Sequence, residues 1–168
     1  FVLPPDRAIE IAFDKAITQS LARVSGIPTM PTHMPTRDEE LYRVAASIPY
    51  PAVVKPRKSV TYRDGVGYFG SAQFVHTSEE LVAAYRGLLQ KLGEAPLIQE
   101  RVVGEEYGVE MIARQGNPHA LVTHHRIRSL SPSGGASVLK ETLTPGHLRE
   151  TMETYARKIV LDLEWTGP

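Results

Sequence analysis

The residues best suited to bind a ligand lie in the stretch Tyr50–Ser59, which reads YPAVVKPRKS. Small or β-branched apolar residues between two prolines, Ala52 to Val54, predict a short buried strand. Lys55 follows where this strand should end, and a charge there is costly unless it meets an anionic partner or solvent. A basic, glycine-containing loop comes next, and clustered cations with free backbone N–H groups suit a polyphosphate. The alternative is a strand edge followed by a solvated hairpin.

The composition limits the classes of protein to which the chain can belong. Its 168 residues give room for one domain or for two small lobes that share a cleft. The 19 basic and 19 acidic residues balance, which argues against a nucleic-acid or membrane-surface partner bound by bulk electrostatics. No apolar run is long enough to span a membrane, and the absence of cysteine excludes disulfides and thiol chemistry. These features predict a cytoplasmic protein.

The ends of the sequence predict a piece of a larger protein. The chain begins FVLPPDRAIE, without an initiator Met or a secretion signal, and it stops at LEWTGP directly after a long helical pattern.

Cap and stop residues predict four helices. Each begins at a residue that favours helix starts, and two of the starts have a glutamate three residues later, which is the capping-box pattern. The predicted helices run from Asp14 to Gly26, from Thr36 (with Glu39) to Ala46, from Thr77 (with Glu80) to Gly93, and from Thr144 with Pro145 at the first helical position.

Strand-forming runs lie between these helices. They are predicted at 52–55, 71–76 and 97–103, at a hairpin that turns at 115–118, and at 136–143 after a flexible loop at 129–135. This order of elements predicts an α+β or mixed α/β protein with two lobes.

Four motifs, in this order and spacing, resemble the ATP-grasp superfamily, and within it the carbamoyl-phosphate-synthase-like branch. They are FDKAITQSLARVSGIPTMPT (13–32), YPAVVKP (50–56), LIQERVVGEEYGVEM (97–111) and HHRIRSLSPSGGASVLKETL (124–143). The resemblance extends over nearly the whole chain. It implies two α+β lobes with nucleotide in the cleft between them, with the C-terminal part missing. Residues 1–101 would be the N-terminal lobe with its lead-in helix, and 102–168 the start of the C-terminal lobe.

The resemblance assigns the nucleotide contacts residue by residue. Lys15 would reach the phosphates, and a helix N-terminus is a poor place for a cation without such a role. Lys55 would contact the α- and β-phosphates. An extended segment that offers a C=O, an N–H and a side-chain acceptor suits adenine. The residues implied for adenine are Glu100 with the backbone of Arg101, Val102 and Val103.

The ribose contact has two candidates in the sequence. Glu106 is the choice that the resemblance implies, because it lies two residues past Gly104, and Glu105 competes with it. A solvated acidic turn is the interpretation without a function.

Two arginines are the candidate catalytic residues. Arg126 and Arg128 lie two residues apart on a predicted strand, so a regular strand would place them on one face. There they could meet a γ-phosphate or a substrate carboxylate, and a solvated strand edge is the alternative. His124 and His125 should face opposite sides. The six histidines include no H-x-x-x-H pair and no cysteine supports them, which argues against zinc.

The metal ligands that the resemblance implies are missing from this sequence. In the superfamily, Mg²⁺ is held by an acidic residue on one late strand and by a Glu-x-Asn pair on the next. The single asparagine, Asn117, lies in a Gly-Asn-Pro turn, so no metal ligand is assigned here. The loop KSVTYRDGVGYFG also departs from the common all-glycine form.

These features predict the ATP-binding core of an ATP-dependent carboxylate–amine ligase, or a similar one, that acts through an acyl phosphate. The intact parent would use ATP and Mg²⁺, with a small carboxylate and an acceptor as substrates, and this piece alone would be inactive. Missing flanking domains or a second copy of the chain would be its partners. The alternatives are a non-catalytic nucleotide-binding or interaction module with this fold, and an unrelated α+β domain with chance motifs.

Overall fold

The computed structural model describes residues 3–131 and 134–168, which divide into two compact units. The four-stranded unit comprises Ala12–Arg23 and Pro28–Val102. The three-stranded unit comprises Phe1–Ile11, Val24–Ile27 and Val103–Pro168. The sequence placed the lobe boundary after residue 101 and the lead-in helix in the first lobe. The structure divides after Val102, most of the helix predicted from Asp14 lies in the four-stranded unit, and the residues before Ala12 group with the three-stranded unit.

Both units contain helices and strands. The helices are α1 Asp6–Phe13, α2 Lys15–Val24, α3 Asp38–Ser47, α4 Ser78–Leu92 and α5 His147–Asp162. The strands are β1 Thr32–His33, β2 Ala52–Lys55, β3 Val60–Arg63, β4 Val66–Phe69, β5 Gln73–Val75, β6 Leu97–Glu100, β7 Glu106–Arg114, β8 Asn117–Ser131 and β9 Gly134–Thr142. Helix α1 has no counterpart among the predicted helices.

An antiparallel sheet with the strand order β1-β6-β2-β5 forms the centre of the four-stranded unit. Strand β2 alternates as a half-buried strand should, because Ala52 and Val54 are fully buried while Val53 and Lys55 are only partly covered. The core includes Leu41 of α3 and buried side chains of α4. The alternation therefore turns the Lys55 side chain away from this core.

The basic, glycine-containing segment after Lys55 is a two-stranded hairpin of β3 and β4. Asp64 and Gly65 form its turn with φ of 52° and 76°, and positive φ at both central residues matches the twist of a tight hairpin. The N–H of Gly70 donates to the carbonyl of Ser59 at 3.2 Å, which closes the hairpin base.

Three predicted helix boundaries in the four-stranded unit are confirmed at single residues. Asp14 caps α2, and Thr77 caps α4 by accepting from the N–H of Glu80 at 3.2 Å. Gly93 ends α4 with φ of 75°, as predicted. The capping box of Thr36 with Glu39 is wrong. Helix α3 has Arg37 as its N-cap, so Glu40 faces back and accepts from the N–H of Thr36 at 3.0 Å.

The three-stranded unit is built on the antiparallel sheet β7-β8-β9. Helix α5 packs on this sheet, and the hydroxyl of Thr123 on β8 donates to Glu153 of the helix at 3.1 Å. The helix begins at His147 after the N-cap Gly146. The prediction that Pro145 is its first residue is therefore wrong.

The predicted loop at 129–135 is largely strand. Strand β8 continues to Ser131 and β9 begins at Gly134, while residues 132 and 133 lie outside the described residues. The two strands pair across register shifts, so local sequence polarity suggested a loop where cross-strand pairing extends the ladder. Within the described ranges, no helix combines the length and the apolar content needed to cross a membrane.

Candidate functional site

The structure brings Lys15 and Lys55 together in the four-stranded unit. Lys15 is the first residue of α2, and its backbone N–H donates to the carbonyl of Arg57 at 3.1 Å. Its Nζ donates to Ser59 Oγ at 3.2 Å. Lys55 ends β2, two residues before Arg57. The two predicted phosphate contacts and the start of the β3–β4 hairpin therefore lie in one cluster.

Burial acts on both ammonium groups, and the charge of Lys15 also acts on Lys55. Burial lowers the pKa of Lys55, and the positive charge of Lys15 lowers this pKa further. Burial also lowers the pKa of Lys15, while the neighbouring Asp14 carboxylate opposes the shift. Both shifts mean that the protonated lysines are less stable here than in water. An anion placed between them would remove this cost, so the cluster favours an anionic ligand.

Asp14 and Arg57 support this cluster, and the sequence analysis assigned neither of them to the site. The Asp14 carboxylate is 2% exposed. One oxygen accepts from the N–H groups of Ala16 and Ile17 at 3.0 and 3.3 Å, and the other accepts from Arg57 Nε at 2.6 Å. The available signal was an Asp-Lys pair at a helix start together with a second cation just past Lys55.

The predicted adenine segment follows β6. Glu100 is the last residue of β6, is exposed, and lies opposite Ala52 of β2. The N–H of Arg101 donates to the carbonyl of Pro51 at 3.1 Å, and its guanidinium lies 5.1 Å from the ring centre of Phe74. The Arg101 N–H is therefore already engaged within the protein.

Val102 and Val103 retain the features expected of an adenine contact. Their side chains are 66% and 83% exposed, which is unusual for valine and leaves apolar surface for a planar base. Within residues 3–131 and 134–168, neither backbone N–H donates to a protein acceptor.

Both ribose candidates have protein partners in the three-stranded unit. The hydroxyl of Tyr107 donates to Glu105 at 2.5 Å. Glu106 pairs with Arg126, whose Nη1 lies 2.6 Å from the carboxylate. Arg126 Nη1 also donates to the carbonyl of Gly135 at 3.1 Å. The two glutamates thus differ in their surroundings, since only Glu106 carries a cationic partner.

The expectation that Arg126 and Arg128 share a face is not met. The pairing of β8 with β9 shifts between these residues, because Arg126 lies opposite Lys140 and Arg128 opposite Leu139. An extra residue in β8 therefore interrupts the two-residue alternation. Arg126 is partly buried and paired with Glu106, whereas Arg128 is exposed.

The two adjacent histidines face opposite sides of β8, as predicted. The His125 ring stacks on Tyr107 with centroids 4.8 Å apart. His124 is 8% exposed and its ring packs over Gly108, where a Cβ atom would come within 2.8 Å of the ring. Its Nδ1 has no hydrogen-bond partner among the described residues.

The described residues do not fit a magnesium site. Among residues 3–131 and 134–168, no group of three or more His, Asp or Glu side chains could hold a metal ion. The Asn117 side chain donates to the carbonyl of Gln115 at 3.1 Å and so serves the β7–β8 turn. The Mg²⁺ implied by the resemblance therefore has no ligand set in this part of the chain.

Comparisons with solved structures identify the fold. N5-carboxyaminoimidazole ribonucleotide synthetase from Thermus thermophilus matches 97% of this chain with a TM-score of 0.69 and 23% identity. D-alanyl-alanine synthetase A from Vibrio cholerae matches 99% with a TM-score of 0.71 and 13% identity. The biotin carboxylase domain of 2-oxoglutarate carboxylase from Hydrogenobacter thermophilus matches 98% with a TM-score of 0.63 and 19% identity.

The chain has the ATP-grasp fold. The fold class predicted from the four motifs is thereby confirmed. The chain spans 37–51% of the length of these three proteins. No family model matches the chain, and no curated protein matches it. At these identities the ATP-grasp likeness is one of fold, and the roles of individual residues have to be argued from their chemistry.

Proposed function

We propose that this chain is the ATP-binding core of an ATP-dependent ligase of the carbamoyl-phosphate-synthase-like branch. The parent protein would activate a carboxylate as an acyl phosphate and transfer it to an amine or a similar nucleophile. The cluster of Lys15 and Lys55 is the observation that carries this proposal, because burial disfavours both ammonium charges and the charge of Lys15 disfavours that of Lys55, so that an anion between them would offset these effects. A cytoplasmic location suits such a reaction.

The proposed roles follow from the demands of phosphoryl transfer, which depends on positioning and on charge neutralisation. Lys15 and Lys55 would offset the charge of the phosphates. Glu100 would accept from the adenine amine, and the free N–H groups of Val102 and Val103 would face ring acceptors. These groups need no metal for their contacts with the base.

The resemblance also implies roles for residues of the three-stranded unit. Glu106 retains free acceptor positions beside its ion pair and could receive the ribose hydroxyls. Arg126 and the exposed Arg128 are the proposed partners of a γ-phosphate or of a substrate carboxylate. The Hydrogenobacter neighbour was solved with MgADP, ADP and bicarbonate, which supports an adenine nucleotide and a small carboxylate as ligands of this fold.

Binding measurements on the full chain test the proposal. Lys55→Ala and Glu100→Ala should each weaken ATP binding about tenfold or more, which corresponds to about 1.4 kcal/mol. Lys158→Ala on α5 and Glu39→Ala on α3 are matched controls, since both side chains are exposed and lie outside the cluster. ATP affinity that is unchanged by Lys55→Ala and Glu100→Ala would show that these residues have other roles.

A non-catalytic nucleotide-binding or interaction module is the second candidate. The ATP-grasp fold does not by itself fix an activity, so it is compatible with this candidate. The parent sequence after Pro168 distinguishes the two candidates. An acidic residue on the next strand, followed by a Glu-x-Asn pair, would favour the ligase, and a chain without them would favour the module.

A further inference from the structure

Asp14 is an acidic residue beside a cluster of cations that is proposed to bind an anion. The negative charge of Asp14, taken alone, would oppose phosphate binding, because a carboxylate repels phosphates. It is also 2% exposed, and a buried carboxylate is costly without donors. The Asp14 carboxylate accepts from the start of α2 and from Arg57, all within the protein. Its role is therefore to be found in what these contacts hold.

Three links join residues 14 and 15 to residues 57 to 59. Arg57 Nε donates to the Asp14 carboxylate at 2.6 Å. The Lys15 N–H donates to the Arg57 carbonyl at 3.1 Å, and Lys15 Nζ donates to Ser59 Oγ at 3.2 Å. The ion pair thus ties the first turn of α2 to the segment that follows Lys55. Without it, Lys15 would depend on one backbone and one exposed side-chain hydrogen bond.

We infer that Asp14 and Arg57 are positioning residues, whose ion pair holds Lys15 beside Lys55 in the geometry that a polyphosphate requires. The inference rests on the proposed nucleotide site. In this role the pair acts through Lys15. Residues that lock a binding group in place raise affinity by lowering the ordering cost of binding.

Two substitutions separate positioning from simple charge. Asp14→Asn keeps an oxygen that can cap α2 but removes the ion pair and makes the cluster more positive. Arg57→Gln removes the same ion pair and makes the cluster less positive. If the two residues acted only through charge, Asp14→Asn would tighten the binding of inorganic triphosphate and Arg57→Gln would weaken it.

Positioning predicts that both substitutions weaken triphosphate binding, by about tenfold each. The double variant should bind about as weakly as either single variant, because both changes break the same interaction. Calorimetry on the full chain measures all four affinities. Tighter binding by Asp14→Asn, or additive losses in the double variant, would overturn the inference.

A second measurement distinguishes failure of this inference from failure of the nucleotide site. The Lys15 amide should exchange with solvent about tenfold faster in both variants, while the amide of Leu81 in α4 should be unchanged. Unchanged protection of Lys15 would overturn the inference even if triphosphate bound. If the wild-type chain fails to bind triphosphate while the Lys15 amide exchanges faster in both variants, the nucleotide site is refuted and the positioning role is retained. Asp38→Asn is the control variant, because it breaks the exposed ion pair with Arg86 in the same unit.

Discussion

The guanidinium of Arg126 lies 2.6 Å from the carboxylate of Glu106. The two residues lie opposite each other on β7 and β8, so the side chains meet across one pair of strands. The motifs imply separate roles for them, with Glu106 contacting the ribose and Arg126 contacting the reacting groups. Their pairing means that any ligand of Glu106 must use the acceptor positions that Arg126 leaves free.

A substitution at Glu106 is expected to weaken the sugar contact, and it also breaks the ion pair with Arg126. Glu106→Gln is expected to weaken ADP binding about fivefold, since hydrogen bonds to charged groups contribute about 1.5–3 kcal/mol and the amide retains part of this. Binding of 2′,3′-dideoxy-ADP, which lacks both the hydroxyls and the γ-phosphate proposed for Arg126, should not change. Calorimetry with both nucleotides measures the difference.

Glu105→Gln is the matched control for this experiment, because Glu105 pairs with Tyr107 and not with a cation. If Glu105→Gln lowers ADP affinity while Glu106→Gln does not, the ribose contact belongs to the competing residue.

The charged Lys55 should reduce the stability of the folded chain. Its pKa is lowered in the folded state by burial and by Lys15, whereas its ordinary value is 10.5. In the pH range between the lowered pKa of the folded state and 10.5, the unfolded chain holds more protons than the folded chain, so the free energy of unfolding should increase with pH there. Lys55→Met removes this titrating group. It should raise the free energy of unfolding at neutral pH and weaken triphosphate binding about tenfold or more.

Urea unfolding of both chains between neutral pH and pH 10 checks this prediction. Lys15 also has a lowered pKa, so part of the pH dependence should remain in the variant. A neutral-pH loss of stability in Lys55→Met would contradict the proposed cost of the buried charge.

The chain by itself should bind ATP and ADP with similar, weak affinity and should not hydrolyse ATP. Lys15 and Lys55 offset only part of the triphosphate charge, and the described residues contain no metal-binding group. A metal that bridges phosphates is the largest local charge in such sites, so its absence affects turnover far more than adenine binding. Calorimetry with and without Mg²⁺, together with a phosphate-release assay, measures both properties. A strong preference for ATP that requires Mg²⁺ would contradict the prediction.

We expect that the position of the His124 ring requires a glycine at residue 108. An added Cβ would lie 2.8 Å from two ring atoms, so Gly108→Ala should lower the free energy of unfolding by about 1–3 kcal/mol. In a His124→Ala background the same substitution should cost less than about 0.5 kcal/mol, because the clash is gone. Gly104→Ala is the control, since a Cβ there meets nothing within 4 Å. Equal costs of Gly108→Ala in both backgrounds would show that the ring is not the obstacle.

Several elements could be predicted because their causes are local. The N-caps Asp14 and Thr77 accept hydrogen bonds from residues two or three positions later, and Gly93 needs only its own positive φ. The alternation of β2 likewise follows from apolar residues at every second position. The error at α3 was also local, because a shift of one residue exchanged Glu39 for Glu40 as the capping side chain.

The sequence by itself determined most of the helices, the ATP-grasp resemblance and the candidate lysines, because these depend on neighbouring residues and on motif spacing. The tertiary structure decided which groups are available and how they are held. Arg57 donates to Asp14, which lies 43 positions earlier in the chain, and the N–H of Arg101 donates to the carbonyl of Pro51. Cross-strand pairing likewise decided that Arg126 meets Glu106 and that a bulge separates it from Arg128. Such contacts join segments distant in sequence, so no local pattern could specify them.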